Sequence, residues 1–186
     1  MKVELVKGQK IELTKGTSRK KMTFGVGWDV NKFDKNDSFD IDELAFLLDS
    51  DGKAVDLIYW GRKKRSDGCV VYSGDNLTGE GDGDDETMDI FFDKIPENVE
   101  KIAICVAIYQ ADSRAQNFGM ISNAYVRGYD EDGEAFNYDL DEDYSDKTAI
   151  IAGEVYRHNG EWKFAAVGQG MTGWLPALAQ YYGAEV

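Results

Sequence analysis

The sequence has little of the chemistry on which most hydrolytic and zinc sites depend. It contains one histidine and two cysteines among 186 residues. His158 lies beside an Asn-Gly turn, where an exposed hairpin residue is a simpler interpretation than a base or a ligand. These side chains do not supply the three or four ligands of a zinc site, and they offer no nucleophile with a base beside it. The sequence therefore predicts neither a triad hydrolase nor a zinc protein.

Positive charge is also scarce. The chain has 21 lysines and arginines against 35 aspartates and glutamates, which gives a formal net charge of −14. Nucleic-acid binding needs clustered basic residues that displace counterions, so this class is excluded. The one dense basic segment, residues 62–65, is predicted to be a solvated loop, with a nuclear signal or an anionic surface contact as alternatives. Acidic partners are expected only through a bridging cation.

Long apolar runs and processing signals are missing as well. No apolar run reaches the roughly 18 residues that span a bilayer, and the N-terminus lacks the apolar centre of a signal peptide. Cys69 and Cys105 lie in strand-like runs, which favours reduced structural residues over a disulfide. Phosphate-binding glycine motifs are not met, because GVGWDV lacks the later glycine of the dinucleotide fingerprint. We expect a soluble, cytoplasmic protein without a small-molecule substrate.

Alternating apolar and polar residues dominate what is present, and they predict strands. Hairpins are expected from 3–7 with 10–14, around the turn at 130–133, and around Asn159-Gly160. The apolar run 101–109 predicts an inner strand buried on both faces. Helical spacing appears only near the C-terminus, at Trp174, Leu175, Leu178, Tyr181 and Tyr182. The prediction is one all-β domain over residues 1–186, an antiparallel β-sandwich with a short C-terminal helix.

Two acidic stretches stand out against this background. Residues 74–86, GDNLTGEGDGDDE, hold six carboxylates among four glycines and no basic residue. Carboxylates about 4 Å apart repel by roughly 1 kcal/mol in water, and an oxygen-rich, flexible loop suits Ca²⁺. A solvated or disordered loop is the alternative, and the EF-hand spacing is not met. In the second stretch, 29–42, Asp40 and Asp42 point to the same side of an extended backbone and can bind one ion.

Five segments carry a family resemblance: FGVGWD (24–29), SFDIDELAFLLDSDGK (38–53), the stretch 74–86, RAQNFGMISNAYVR (114–127) and GEVYRHNGEWKFAAVGQG (153–170). Together they resemble the TerD family of tellurite-resistance and general stress proteins. The resemblance implies a β-sandwich whose loops at one end bind Ca²⁺, commonly at two sites, and no enzymatic activity. The family usually has an acid where this sequence has Gln110, with Asp112 two residues on. The implied calcium ligands are Asp29, Asp40, Asp42, Asp75, Asn76, Glu80, Asp82, Asp84, Asp85 and Glu86.

The expected function is therefore that of a calcium-binding stress-response protein. Its acidic rim is expected to bind one or two Ca²⁺ ions and to present a docking surface for other tellurite-resistance or stress proteins, or a calcium-bridged contact with a membrane. One alternative is a calcium-supported hydrolase acting on a carbohydrate or similar substrate, which needs two opposed carboxylates in a pocket. Another is a structural or storage subunit, which predicts weak and unselective ion binding.

Overall fold

Two β-sheets packed face to face form the body of the protein. The computed structural model describes residues 2–30, 39–74, 83–140 and 142–186, and within these ranges each sheet has six strands. Strands and helices are numbered in chain order. From edge to edge, sheet A consists of β1 (Val3–Leu5), β10 (Gly133–Asp139), β9 (Ile121–Asp130), β3 (Lys21–Val30), β7 (Glu86–Phe91) and β6 (Val70–Tyr72).

Sheet B has the same number of strands and carries a helix on its outer face. From edge to edge it consists of β2 (Lys10–Glu12), β12 (Glu161–Met171), β11 (Ala149–His158), β8 (Lys101–Ile108), β4 (Ile41–Leu48) and β5 (Ala54–Ile58). The helices are α1 (Ala111–Arg114) and α2 (Trp174–Tyr182), with short 3₁₀ turns at Phe92–Lys94 and Phe118–Met120.

The strand pairing confirms the predicted β-sandwich and most of its hairpins. β9 pairs with β10 around the turn at 130–133, and β11 pairs with β12 around Asn159 and Gly160, which both have positive φ. β8 lies inside sheet B between β11 and β4, as its continuous apolar sequence predicts. Of the described strand pairs, β1 with β10 is parallel and the others are antiparallel.

The predicted hairpin of residues 3–7 with 10–14 is wrong. β1 pairs with Phe136–Tyr138 in sheet A, whereas β2 pairs with Lys163–Ala165 in sheet B. The intervening turn therefore carries the chain from one sheet to the other, and both strands find longer partners far along the sequence. The local alternation identified the strands correctly but could not identify their partners.

Aromatic side chains from both sheets meet in the centre of the sandwich. Phe24 of β3 and Phe136 of β10 pack against Phe164 of β12, with ring centroids of Phe136 and Phe164 4.4 Å apart. All three rings are fully buried. A second apolar layer forms where α2 covers the outer face of sheet B. Leu175 and Leu178 of α2 are buried in this layer. This layer explains why β8 is apolar on both faces.

The described helices give no candidate for a membrane span, since none of them combines sufficient length with sufficient apolarity.

We predict that Phe164→Ala will lower the free energy of unfolding by about 3 to 5 kcal/mol, because it removes a stacked ring from the inter-sheet core. Urea unfolding followed by circular dichroism measures the change. Val55→Ala is the control, since Val55 is 41% exposed and its truncation should change stability by less than about 0.5 kcal/mol. A loss below about 1 kcal/mol for Phe164→Ala would contradict this description of the core.

Candidate metal centre

One end of the sandwich brings the start of β4 next to the start of β7. Tyr109, just after β8, donates its backbone N–H to the Asp40 carbonyl oxygen at 2.7 Å, which holds Asp40 at the end of sheet B. On sheet A, the backbone N–H of Asp85 donates to the Val26 carbonyl at 2.8 Å, and β7 begins at the next residue, Glu86. The two acidic stretches therefore enter the fold at the same rim.

Asp40, Asp42 and Glu86 form an acidic cluster at this rim, which we call the rim cluster. Each contributes one carboxylate oxygen, and these oxygens lie within 4.8 Å of one another. Oxygens bound to a single Ca²⁺ at about 2.3 to 2.6 Å are separated by at most about 5 Å, so the spacing fits a shared ion. Asp42 is 3% exposed, Glu86 is fully buried and Asp40 is partly exposed. Three carboxylates this close and this deep repel strongly without a cation.

Glu86 crosses from one sheet to the other. It belongs to β7 in sheet A, yet its Oε2 accepts a hydrogen bond from the backbone N–H of Glu43 in β4 at 2.5 Å. β5 pairs with β4 only along Ala45–Leu48, so the strand edge at Glu43 lies beyond the last β5 pair. The side chain of Glu86 thus reaches the edge of sheet B next to Asp42. A cation in the rim cluster would hold the two sheets together.

Glu43 is a buried carboxyl that sequence reasoning missed. It is fully buried, and neither of its carboxyl oxygens has a hydrogen-bond partner among the described residues. It lies on the same face of β4 as Ile41 and Ala45, both of which belong to the inter-sheet core. Burial, and next the charge of Glu86, raise the pKa of the Glu43 carboxyl well above its usual range. The alternation that points Ile41 towards the core also points Glu43 inward, and this is the sequence signal that could have identified it.

Asp84 was expected among the ligands, but the structure places it on the outer face of sheet A. Its carboxylate accepts two hydrogen bonds from Arg127, at 2.8 and 3.0 Å, and one from the Tyr125 hydroxyl at 2.9 Å. Hydrogen bonding to Asp84 is the main reason that the pKa of the Arg127 guanidinium is raised above its usual value. Because both Asp84 oxygens are engaged there, we leave Asp84 out of the proposed ligand set.

The glycines of the FGVGWD segment make room for this arrangement. A Cβ atom on Gly25 would overlap the Asp84 carboxylate, and one on Gly27 would overlap the ring of Tyr125. The two glycines are therefore required by close packing on the outer face of sheet A, because only hydrogen fits at these positions.

Two further predicted ligands lie beside the rim cluster. The Asp85 carboxylate is buried and accepts a hydrogen bond from the Trp28 backbone N–H at 3.0 Å, which fixes the start of β7 against β3. Asp29 is exposed and accepts a hydrogen bond from the Asn123 side chain at 2.6 Å. Neither belongs to the rim cluster. The hydrogen bond made by Asp85 positions the next residue, Glu86, whereas Asp29 is an exposed residue near the end of β3.

The remaining predicted ligands, Asp75, Asn76, Glu80 and Asp82, lie outside the described residues. Gln110, where the family usually has an acid, and Asp112 are both exposed at the start of α1. Among the described residues the candidate metal centre is therefore the rim cluster with Glu43 next to it.

Fold and site together define a β-sandwich with an acidic cluster that joins its sheets at one rim. A family model described as the TerD domain matches residues 1–182. General stress protein 16U of Bacillus subtilis (strain 168) is 48% identical over an alignment of 192 residues that covers 100% of both chains. Tellurium resistance protein TerD of Serratia marcescens is 47% identical over 189 residues, covering 98% of each chain. This chain belongs to the TerD family, which confirms the resemblance.

A solved structure supports the same fold. The crystal structure of a homologue of telluride resistance protein (TerD) from Streptomyces coelicolor A3(2) matches with a TM-score of 0.75. The match covers 89% of this chain and 99% of that chain at 23% sequence identity. At that identity the likeness concerns the fold alone.

We predict that Arg127→Met will destabilise the protein, because it leaves a carboxylate that is 5% exposed without its charged donors. The expected loss in the free energy of unfolding is about 2 to 3 kcal/mol, typical of hydrogen bonds to charged groups. The control is Arg114→Met, since Arg114 is exposed and contacts the ring of Tyr109. If Arg127→Met were no more destabilising than this control, the Asp84 pairing would have no structural role.

Proposed function

We propose that residues 1–186 form one calcium-binding domain that takes part, without catalysis, in resistance to tellurium compounds and in the stress response. The observation that carries the proposal is the rim cluster, in which carboxylates from both sheets converge within 4.8 Å. The relatives named for tellurium resistance and for general stress match nearly the whole chain, which supports the biological role.

Electrostatics favours a hard divalent cation at the rim cluster. Its donors are carboxylate oxygens, which suit Ca²⁺ or Mg²⁺ far better than soft metals. Ca²⁺ accepts six to eight oxygens in flexible geometry, whereas Mg²⁺ demands a near-ideal octahedron, so carboxylates from separate strands fit Ca²⁺ better. Residues 75–82, rich in acid and glycine, follow β6 in sequence and precede Glu86, and they are expected to add further oxygens.

The alternative of a calcium-supported hydrolase finds little support. A groove of about 560 Å³ lies at the other end of β3, and its three acids, Asp130, Glu131 and Asp132, come from one turn. Asp130 is engaged by Arg19. The neighbouring acids Glu43 and Glu86 are both fully buried, so a substrate could not reach them. A substrate needs access to two opposed carboxylates, which neither place offers among the described residues.

Direct thiol chemistry with tellurium compounds is also disfavoured. Burial raises the pKa of the Cys69 thiol to about 12 and that of Cys105 well above its usual range. Reactive cysteines need an accessible thiolate at neutral pH, and neither residue provides one. Both cysteines are free, which supports our inference of a cytoplasmic location.

A row of aromatic rings adjoins the rim cluster and supports a docking role. Tyr59, Trp60, Tyr109 and Trp174 contact one another edge to face, with successive ring centroids 5.5 to 5.8 Å apart. Trp60 is 39% exposed, and Tyr109 is tied to Asp40 through its backbone. We call this surface the aromatic row. Partly exposed tryptophan and tyrosine side chains are favoured at protein interfaces and at membrane surfaces.

The charges around the aromatic row favour an anionic lipid surface as the partner that binds there. Lys63 and Lys64 are exposed just after Trp60, and Arg114 lies over the ring of Tyr109. A cation at the rim cluster would add positive charge beside them. Basic residues next to a lipid interface attract anionic head groups, which a net charge of −14 would otherwise repel. Docking of other tellurite-resistance or stress proteins is the alternative outcome of the test below.

We predict that calcium will raise the melting temperature of protein stripped with a chelator. A free calcium concentration about 100 times the dissociation constant adds about 2.7 kcal/mol to the free energy of unfolding. Asp42→Asn should remove most of this shift, because it takes one carboxylate from the rim cluster. Differential scanning calorimetry with and without millimolar calcium measures both effects.

The control is Asp93→Asn, which neutralises an exposed carboxylate in the 3₁₀ turn after β7 and should leave the calcium shift intact. Magnesium at equal concentration should give a smaller shift. No shift with calcium would overturn the calcium proposal, and equal shifts with both ions would favour a storage subunit that binds ions weakly and without selectivity.

We also predict calcium-dependent sedimentation with vesicles that contain phosphatidylglycerol, but not with pure phosphatidylcholine vesicles. Trp60→Ala should reduce the bound fraction several-fold, because it removes the most exposed ring of the aromatic row. Val55→Ala is the control at another exposed apolar residue. Absence of vesicle binding in calcium would reject the lipid surface and leave partner proteins, which calcium-dependent pull-downs would then detect.

A further inference from the structure

Two glycines of β3 are not required by the conformation of the strand. Neither Gly25 nor Gly27 has a positive φ, so the backbone torsions at both positions suit alanine. Glycine inside a strand costs stability, and it often marks a place where another group approaches the backbone closely. Phe24 and Val26 belong to the core, so the two glycines face outward from sheet A. The glycines therefore serve to accommodate the groups that lie over them on this outer face.

Planar side chains lie over both glycines. The hydroxyl end of the Tyr125 ring lies over one glycine and the Asp84 carboxylate lies over the other, each so close that a Cβ atom would overlap it. The Arg127 guanidinium donates to both oxygens of that carboxylate, and its Cζ lies 4.9 Å from the centroid of the Tyr129 ring. Two rings, a carboxylate and a guanidinium thus form one layer over the inner strands β9 and β3. We call this surface the outer platform.

Ion pairs around the outer platform cancel one another. Each of three carboxylates is paired with a different basic side chain within 3.1 Å. The pairs are Asp84 with Arg127, Asp89 with Lys21 and Glu134 with Lys2. Asp139, which pairs with Tyr125 across strands, adds one exposed acid. In a chain with a net charge of −14, an anionic ligand would be repelled, and the paired carboxylates offer little to a cation. An uncharged polar ligand fits this surface best.

The outer platform also keeps donors and ring surface available. A guanidinium has five N–H donors. The bonds from Arg127 to Asp84 and Glu134 use three of them among the described residues, and the Arg127 side chain is 30% exposed. Tyr125 and Tyr129 are half-buried, so each presents part of its ring to solvent. Aromatic rings beside fixed planar donors suit a sugar, which has apolar C–H faces and hydroxyl groups around its edge.

We propose that the outer platform binds a neutral carbohydrate chain without acting on it chemically. The C–H faces of sugar rings pack on Tyr125 and Tyr129, and hydroxyl groups between them accept hydrogen bonds from Arg127. The two tyrosines are four residues apart on β9, about 13 Å, which exceeds the width of one hexose ring. The ligand is therefore a chain of hexoses and not a single sugar. This site does not depend on the calcium function proposed above.

The groove of about 560 Å³ extends the outer platform at the Tyr129 end. Tyr129 and Thr23 pair across strands, and both line the groove. From there it continues between the loop at 17–20 and the turn at 130–132, where hydroxyl and charged side chains line both walls. An extended chain that crosses the outer platform along β9 would enter this groove, which supports a ligand of several sugar units.

The test is titration calorimetry of the full-length protein with three oligosaccharides: maltohexaose, cellohexaose and a sulfated heparin hexasaccharide. We expect binding of a neutral chain and none of the heparin fragment. Tyr129→Ala should raise the dissociation constant about tenfold, because it removes one stacking ring. The matched control is Tyr156→Ala, which removes a half-buried ring with Lys10 over it from the outer face of sheet B. It should change the constant less than about twofold.

A second variant tests the geometry without removing a ring. Gly27→Ala places a methyl group where the hydroxyl end of Tyr125 lies, and that end of the side chain can move without disturbing the backbone. We expect a folded protein whose dissociation constant for the neutral chain rises about fivefold or more. If Tyr129→Ala does not fold, Gly27→Ala decides: weakened binding supports the outer platform, and unchanged binding contradicts it.

Three results would overturn the proposal. They are failure of both neutral chains to bind the folded wild type, tighter binding of the heparin fragment, and equal losses in Tyr129→Ala and Tyr156→Ala. Asp42→Asn, which removes a carboxylate from the rim cluster, should leave oligosaccharide affinity unchanged. Failure of this proposal and failure of the calcium proposal are therefore separate outcomes.

Discussion

Mutual repulsion of carboxylates at one rim is the constraint on which the site depends. Asp40 and Asp42 come from sheet B and Glu86 comes from sheet A, and their oxygens lie within 4.8 Å of one another among the described residues. Two of these side chains are almost entirely buried, so solvent screens the repulsion poorly. We infer that a bound cation relieves it and thereby joins the two sheets. Binding of the ion and ordering of the rim are then one process, which is how calcium would control a neighbouring docking surface.

The last three residues of the acidic stretch 74–86 have two different roles: Asp84 and Asp85 fix the chain in place, and Glu86 contributes to the rim cluster. Asp84 is locked onto the outer face of sheet A by Arg127 and Tyr125, and Gly25 leaves the space for it. Asp85 accepts a hydrogen bond from the backbone of β3, and the side chain of Glu86 then points inward towards β4. The first two residues thus fix the position of the third without an ion. A partly preformed site pays less ordering entropy on binding, which favours affinity.

The sequence predicts those parts of the structure that arise from local patterns. The alternation of apolar residues identified the strands, and the spacing of Asp40 and Asp42 placed both on one side of an extended chain. The dense acids of 74–86 pointed to the partner stretch that supplies Glu86. Contacts between distant residues were not accessible: Arg127 meets Asp84 across 43 positions, and β1 pairs with β10 more than 130 residues away. Glu43 was missed because one acid inside an apolar run does not reveal whether it has a partner.

The most direct test of the central claim is a crystal structure grown with calcium, with anomalous scattering used to locate the ion. The account predicts one ion in contact with Asp40, Asp42 and Glu86, surrounded by six to eight oxygens at about 2.3 to 2.6 Å. It would be contradicted by calcium bound only elsewhere in the crystal, with these three carboxylates making no contact to any ion.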